Sequence, residues 1–389
     1  MIALIEDIIK NFGGRAAGSR EEYKAQKFYL DYLSSMADAT QLIEFKAALK
    51  GKFGSIPIFS TILFLNFFLF WVDLKIAVLL SFVNAILFVG HFVTYQNWLD
   101  GFFTKKLSWN AEAKLQGTIS NKHCIIVCGH MDCVYEFKWW YRLKAFGFIL
   151  TLLGSTVIIL QAILFASILI FEPDSKDYQS GVSLIVYLVF SVLSFSNLCV
   201  LDMHSKKMVD GAIDNLSGVA IAAGLLEYFS KNRLKNIEFR AVSFGSEEVG
   251  LKGSNAYAAL LKSQIASYES CLVLNLDTIK SSKTLNILSA ETNPLTFYNK
   301  ALILELVDSF EAKQVPYAVN SIGMGATDGT SFSRQGIPVL SIIGIDTKRP
   351  DASYHTRLDN FDNLDPKALE DLKNVIQYYI ESKDKAYSG

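Results

Sequence analysis

The chain opens with the polarity patterns of ordinary soluble elements. Apolar positions recur at helical spacing through residues 2–12 and stop at Gly13-Gly14. Ser19-Arg20-Glu21-Glu22 is a capping box, which predicts a helix from there to about Met36. Residues 40–49 alternate enough to predict a strand. The character then changes. Residues 53–72 hold no charged side chain, Asp73-Leu74-Lys75 interrupts, and residues 76–99 are again uncharged. A helix needs roughly 20 residues to cross a bilayer core, so the two runs predict a transmembrane hairpin with a very tight turn. Pro57 and Asn66 are the residues that suit the first span least.

Two strand-like stretches follow, at 115–120 and 124–128. The second, Cys124-Ile125-Ile126-Val127-Cys128, is apolar on both faces, as in the middle of a covered sheet. Residues 146–171 and 182–201 are uncharged in turn, with a short polar loop predicted at 172–181. Four buried core helices are the soluble alternative. Core helices of such length keep a polar stripe and these runs do not, so the pattern predicts a second inserted transmembrane helical hairpin. From Asp202 onward, helices are predicted near 215–230, after Gly253, near 295–310 and after Pro366. Strands are predicted near 236–243, 271–276, 284–288, 316–320 and 339–343. Strands alternating with helices predict an α/β fold with a mixed, mostly parallel central sheet flanked by helices. The domain is then discontinuous, over 1–52, 97–145 and 202–389, with hairpins inserted at 53–96 and 146–201.

Composition strengthens the membrane reading. The 389 residues are 51% hydrophobic with 28 Phe, and only 19% are charged. A net charge of −1 removes any electrostatic case for nucleic acid. Five cysteines without a C-x-x-C pair predict reduced, mostly buried thiols. Residues 1–12 carry Glu6, Asp7 and Lys10 and lack the continuous apolar stretch of a cleaved signal. Lys50, Lys52, Lys105, Lys106, Arg142, Lys144, Lys206 and Lys207 flank the span ends that adjoin the soluble segments. The opposite ends have only Lys75 and Lys176, each beside acids. The positive-inside bias therefore predicts a multi-pass membrane protein whose soluble domain and both termini are cytoplasmic.

Candidate chemistry sits at strand ends and helix starts, where the sites of open α/β sheets form. His130 and Asp132 follow the strand at 124–128. A His there is often structural, but His-x-Asp also places a carboxylate within reach of the second ring nitrogen, an arrangement that supports a metal ligand. Asp214 stands just before a helix and, taken alone, reads as its cap. Glu247 and Glu248 end another apolar strand, and adjacent buried glutamates repel unless a cation joins them. One would then bind metal while the other faces its water as a base. Asp277 ends the strand at 271–276, and His355 lies in a polar loop ahead of Asp359, Asp362 and Asp365. Among five histidines, His91 falls in an apolar run and His123 precedes a strand, which leaves His130, His355 and His204 for a loop-borne site. Two imidazoles and these carboxylates suffice for two zinc ions at three protein ligands each, if one Asp bridges them.

The ordered motifs resemble the co-catalytic zinc peptidases, which include bacterial leucyl aminopeptidases, glutamate carboxypeptidases and glutaminyl cyclases. The carrying residues are Gly129-His130-Met131-Asp132, Gly211-Ala212-Ile213-Asp214-Asn215, Glu247-Glu248-Val249-Gly250, Asn275-Leu276-Asp277 and Tyr354-His355-Thr356. Arg15-Ala16-Ala17-Gly18-Ser19 and Gly336-Ile337-Pro338 are similar to the family as well. The resemblance implies one zinc on His130, Asp214 and Asp277 and a second on Asp214, Glu248 and His355, with Asp214 as the bridge and a cis peptide before Asn215. It also implies that Glu247 is the general base, that Asp132 supports His130, and that a metal-activated water attacks a peptide carbonyl. Two departures stand out. A whole hairpin separates Asp132 from Asp214, and Gly329 occupies a position where the family commonly has a His.

The expectation is a membrane-anchored, cytoplasm-facing zinc exopeptidase, foremost an aminopeptidase acting on short peptides. Its partners would be a peptide substrate, the lipid bilayer and, through the hairpins, a second copy in a homo-oligomer. The alternatives are a glutaminyl-cyclase-like acyltransferase using one zinc, and a non-catalytic receptor or scaffold on the same fold. The complete ligand set argues against the scaffold.

Overall fold

The computed structural model describes residues 1–171 and 181–387, so the predicted loop at 172–181 and Lys176 fall almost entirely outside the described residues. The chain divides into two compact units. The first comprises Met1–Leu49, Lys105–Tyr135 and Lys207–Gly389 and is built on a nine-stranded sheet. Its strands are β1 (Ala39–Ala47), β2 (Lys106–Leu115), β3 (His123–His130), β4 (Ile237–Phe244), β5 (Ser270–Asp277), β6 (Asn286–Glu291), β7 (Thr296–Phe297), β8 (Ala318–Ile322) and β9 (Val339–Ile343). The spatial order is β1-β2-β4-β3-β5-β9-β6-β8, with β7 on β6. The four central strands β4, β3, β5 and β9 run parallel. Their carboxyl ends therefore point the same way, and His130, Phe244, Asp277 and Ile343 terminate them.

The helices of this unit are α1 (Ile2–Phe12), α2 (Arg20–Ser34), α3 (Ser217–Lys231), α4 (Lys252–Gln264), α5 (Lys300–Ala312), α6 (Gly329–Arg334) and α7 (Pro366–Ala386). One continuous core joins them to the sheet, with Ile126, Val127, Phe239, Val242, Val273 and Leu274 at its centre. Residues of β4 are buried along their whole length, and its polar members Glu238 and Arg240 pair with each other at 2.7 Å. The expected fold class holds.

One predicted strand is misplaced. Residues 116–120 form a turn, where Gly117 N donates to Asn121 Oδ1, and the strand lies earlier, at Lys106–Leu115. The inward side chains of β2 include Ser108, Asn110 and Glu112, all buried. They are polar because they serve hydrogen-bond networks, so the usual hydrophobic alternation is missing from the sequence. The helix predicted from 295 begins at Lys300 instead, because Asn299 caps it by accepting from Ala301 N at 2.8 Å.

The second unit, Lys50–Thr104 and Glu136–Lys206, holds four helices long and apolar enough to cross a membrane: Gly51–Val72, Leu74–Val93, Ala145–Phe171 and Gly181–Leu201. Asp73 makes the tight turn between the first two, its Oδ1 accepting from Lys75 N at 2.8 Å and Ile76 N at 3.2 Å. Pro57 sits in the first turn of its helix, where a missing N–H costs nothing. Asn66 is buried and donates to Gln161 Oε1 at 3.2 Å, while Gln161 donates to the Leu63 carbonyl at 3.0 Å. Asn66 and Gln161 thus turn inward, and the outward faces of the apolar helices carry side chains such as Phe68, 66% exposed, and Leu79, 63% exposed. This is the reverse of a soluble helical bundle.

Candidate metal centre

The strand ends bring all five predicted ligands into one buried cluster. His130 closes β3 and Asp277 closes β5. Asp214 lies in the loop ahead of α3, Glu248 follows β4, and His355 follows β9. Two groups of three have ligand atoms mutually within 4.8 Å, namely His130, Asp214, Asp277 and Asp214, Glu248, His355. Asp214 belongs to both, and its two oxygens face different histidines. Oδ1 lies 3.0 Å from His130 Nε2, and Oδ2 lies 3.4 Å from His355 Nε2. His355 Nε2 is also 3.1 Å from Glu248 Oε2. The peptide between Asp214 and Asn215 is cis.

Asp214 does not cap the following helix. Asn215 takes that part, its Oδ1 accepting from Gly218 N at 3.1 Å, and its Nδ2 donating to the Leu276 carbonyl at 2.7 Å. The bridge candidate is thereby tied to the strand end that carries Asp277. From the other side, Asp359 Oδ1 accepts from Ile213 N at 2.7 Å.

Asp132 departs from its expected geometry. His130 Nδ1 faces the backbone carbonyl of Asp132 at 3.0 Å, while the nearer carboxylate oxygen is 3.7 Å away. The carboxylate instead accepts from Glu247 N at 2.9 Å and Glu248 N at 3.1 Å. Asp132 therefore orients His130 through its main chain and holds the Glu247-Glu248 turn with its side chain. Glu247 itself places Oε2 3.8 Å from His130 Nε2.

For several supporting residues the sequence alone indicates no role at the site. In the sequence Glu22 is only part of a capping box. Its amide does donate to Ser19 Oγ at 3.1 Å, but its carboxylate accepts from Gly18 N and Ser246 N, each at 2.8 Å. Arg15, fully buried, donates from Nε to the Met131 carbonyl at 2.8 Å and from Nη2 to the Asp210 carbonyl at 2.9 Å. It thus joins the loop of His130 to the approach to Asp214. Asp359 was visible only as one acid among several in a polar loop. His204, the remaining loop-borne candidate, lies elsewhere, its ring 4.7 Å from Phe53 and 5.1 Å from Phe137.

The departure at Gly329 has a steric cause. A Cβ there would meet Ser341 Oγ at 2.1 Å and the Tyr298 hydroxyl at 2.5 Å, so no side chain fits. The loop is held instead by buried Glu291, which accepts from Thr327 N at 2.8 Å and Thr330 Oγ1 at 2.8 Å.

The electrostatics call for a cation. Burial lifts Glu247 well above the usual carboxylate range and Asp277 to about 8, with neighbouring acids adding to it. Burial likewise raises Asp132 to about 6 and Asp328 to about 7. For His130 and His355 burial alone would favour the neutral ring, but the surrounding carboxylates outweigh it, Glu247 foremost for His130 and Glu248 for His355, which reaches about 10. Burial would also raise Asp214, yet the two histidines outweigh it and lower it. Glu248 Oε1 is buried with no hydrogen-bond partner among the described residues. Imidazole and carboxylate donors, an uncompensated cluster of acids and a carboxylate oxygen left open fit a divalent metal such as zinc.

Residues 199–380 match the model of Peptidase family M28. The fold is that of the zinc aminopeptidases and glutaminyl cyclases, and the motif resemblance to co-catalytic zinc exopeptidases is borne out. An aminopeptidase from Aneurinibacillus sp. strain AM-1 is similar at 16% identity and a TM-score of 0.54, over 98% of this chain and 93% of that one. Glutaminyl cyclase of Porphyromonas gingivalis is similar at 14% identity and 0.57, over 98% and 96%. BSAP, a zinc aminopeptidase from Bacillus subtilis, is similar at 13% and 0.57, over 98% and 94%.

Proposed function

We propose that this chain is a membrane-anchored zinc aminopeptidase. The first unit would be its catalytic domain and the four apolar helices its bilayer anchor. The observation that carries the reading is Asp214, whose two oxygens each face a different histidine, with Asp277 completing one group of three and Glu248 the other. That division of one carboxylate suits two zinc ions bridged by Asp214. The placement of Asp277 within ligand reach of His130 favours the two-metal peptidase over a one-zinc cyclase.

Bound zinc would polarise the substrate carbonyl and lower the pKa of a water. Everything else falls to the chain's own groups. Glu247 stands beside the ligand cluster without belonging to either group of three, its Oε2 3.8 Å from His130 Nε2. It would take the proton of the attacking water and hand it to the leaving amine as the C–N bond breaks. Asp132 keeps Glu247 and Glu248 in register through their amides.

The experiment is hydrolysis by the zinc-loaded, detergent-solubilised chain of peptides with free and with acetylated amino termini. Release of the N-terminal residue from the free peptides alone is expected. Glu247→Gln should lower turnover by about a hundred- to ten-thousand-fold with zinc still bound. Unchanged turnover in that variant would remove Glu247 from its role.

A further inference from the structure

Three consecutive amides follow the end of β4, and each donates to a buried carboxylate. Glu247 N and Glu248 N use Asp132, whose loop carries His130. Ser246 N uses Glu22 Oε1 at 2.8 Å, from α2 at the opposite end of the chain and outside the 199–380 match. Glu22 is fully buried, and the groups that meet it are donors. Its Oε2 accepts from Gly18 N at 2.8 Å and from Ser108 Oγ at 3.0 Å, and Ser108 Oγ accepts in turn from Ser246 Oγ at 2.8 Å. The carboxylate also lies directly on the loop, since a Cβ at Gly245 would meet Glu22 Oε1 at 2.8 Å.

The turn needs an outside hold. Ser246 has φ +58°, a left-handed conformation that a non-glycine residue adopts at a cost. One turn further along α2, Gln26 Nε2 donates to the Ser243 carbonyl at 3.2 Å and the Trp109 carbonyl at 3.1 Å. The same helix face thus grips the strand before the turn and the turn itself.

We propose that Glu22 is a positioning residue for Glu247: by fixing the Ser246 amide it sets the direction in which the base leaves β4. The inference rests on the reading of Glu247 as the base. Two N–H groups and the Ser108 and Ser246 hydroxyls converge on the carboxylate, the last at 3.4 Å. Glutamine would turn an NH2 toward one of those donors, and alanine would remove the acceptor from all four.

The test uses the full chain carrying Glu22→Gln or Glu22→Ala, with Glu22→Gln as the isosteric variant should alanine prevent folding. Amide hydrogen exchange across residues 244–249 is expected to speed up in both. kcat should fall about 10- to 100-fold, as for other supports of a metal site, with KM within about two-fold and zinc content unchanged. A lower Tm with kcat unaltered would show a purely structural residue and overturn the proposal. Zinc lost in proportion to kcat would overturn it as well, since Glu22 would then serve the ligands rather than the base. Should the unaltered chain hydrolyse no peptide, the peptidase reading falls. The exchange result still decides on Glu22, and unchanged protection over 244–249 refutes the role.

Discussion

Asp214 shows how far neighbours decide what a residue does. Its position before a helix suggests a cap, yet its oxygens face His130 and His355, and the adjacent Asn215 makes the capping contact. The ligands are legible because His130 and Asp277 end apolar strands, the Glu247-Glu248 pair follows another, and Asp214 stands at a helix start. Glu22 is not, because half of the capping box is real: its amide bonds Ser19 while its side chain goes to Ser246. Asp359 was hidden among the acids of its own loop. The protonation of the metal-free cluster makes a prediction at this scale. With His355 lifted to about 10 and His130 raised as well, both rings carry a proton at neutral pH, and zinc must displace protons to reach Nε2. Raised pKa values favour the protonated form, so falling pH opposes loading. Apparent zinc affinity should therefore rise from pH 6 to 8, by about tenfold per pH unit for each proton displaced. Calorimetric titrations in buffers of differing ionisation enthalpy should show net proton release. A pH-independent affinity would contradict the assigned ligands.

At the scale of elements, strong apolar patterning predicts the structure and functional polarity conceals it. The central strands β3 and β5 announce themselves as largely apolar runs ending in His130 and Asp277. Strand β2 does not, because Ser108, Asn110 and Glu112 face inward to hold Glu22, Gly253 and Arg240. The apolar helices were legible for the same physical reason that makes them unusual. Their polar side chains pair with one another or with nearby carbonyls, as Asn66, Asn84 and Gln161 do, and leave an apolar exterior. The basic residues near their ends give the element-scale prediction. A cytosol-active reporter fused at the C-terminus should be active, and one that works only outside the cell should be silent. The opposite pattern would invert the topology.

At the scale of the molecule, the candidate centre is assembled from three separated stretches of the first unit. Arg15 and Glu22 precede the first apolar hairpin, Ser108, His130 and Asp132 lie between the two, and Asp214, Glu247, Glu248, Asp277 and His355 follow the second. Sequence order therefore hides how closely these residues act, and the strand order β4-β3-β5 sets the ends of those three strands side by side. The central claim is that one carboxylate bridges two metal ions. It is tested most directly by elemental analysis of zinc per chain in the purified protein and in Asp277→Asn, Glu248→Gln and Asp214→Asn. The account predicts two zinc ions in the parent chain, about one in each of the first two variants, and loss of both in the last. A single zinc in the parent chain, undisturbed by Asp277→Asn, would contradict it.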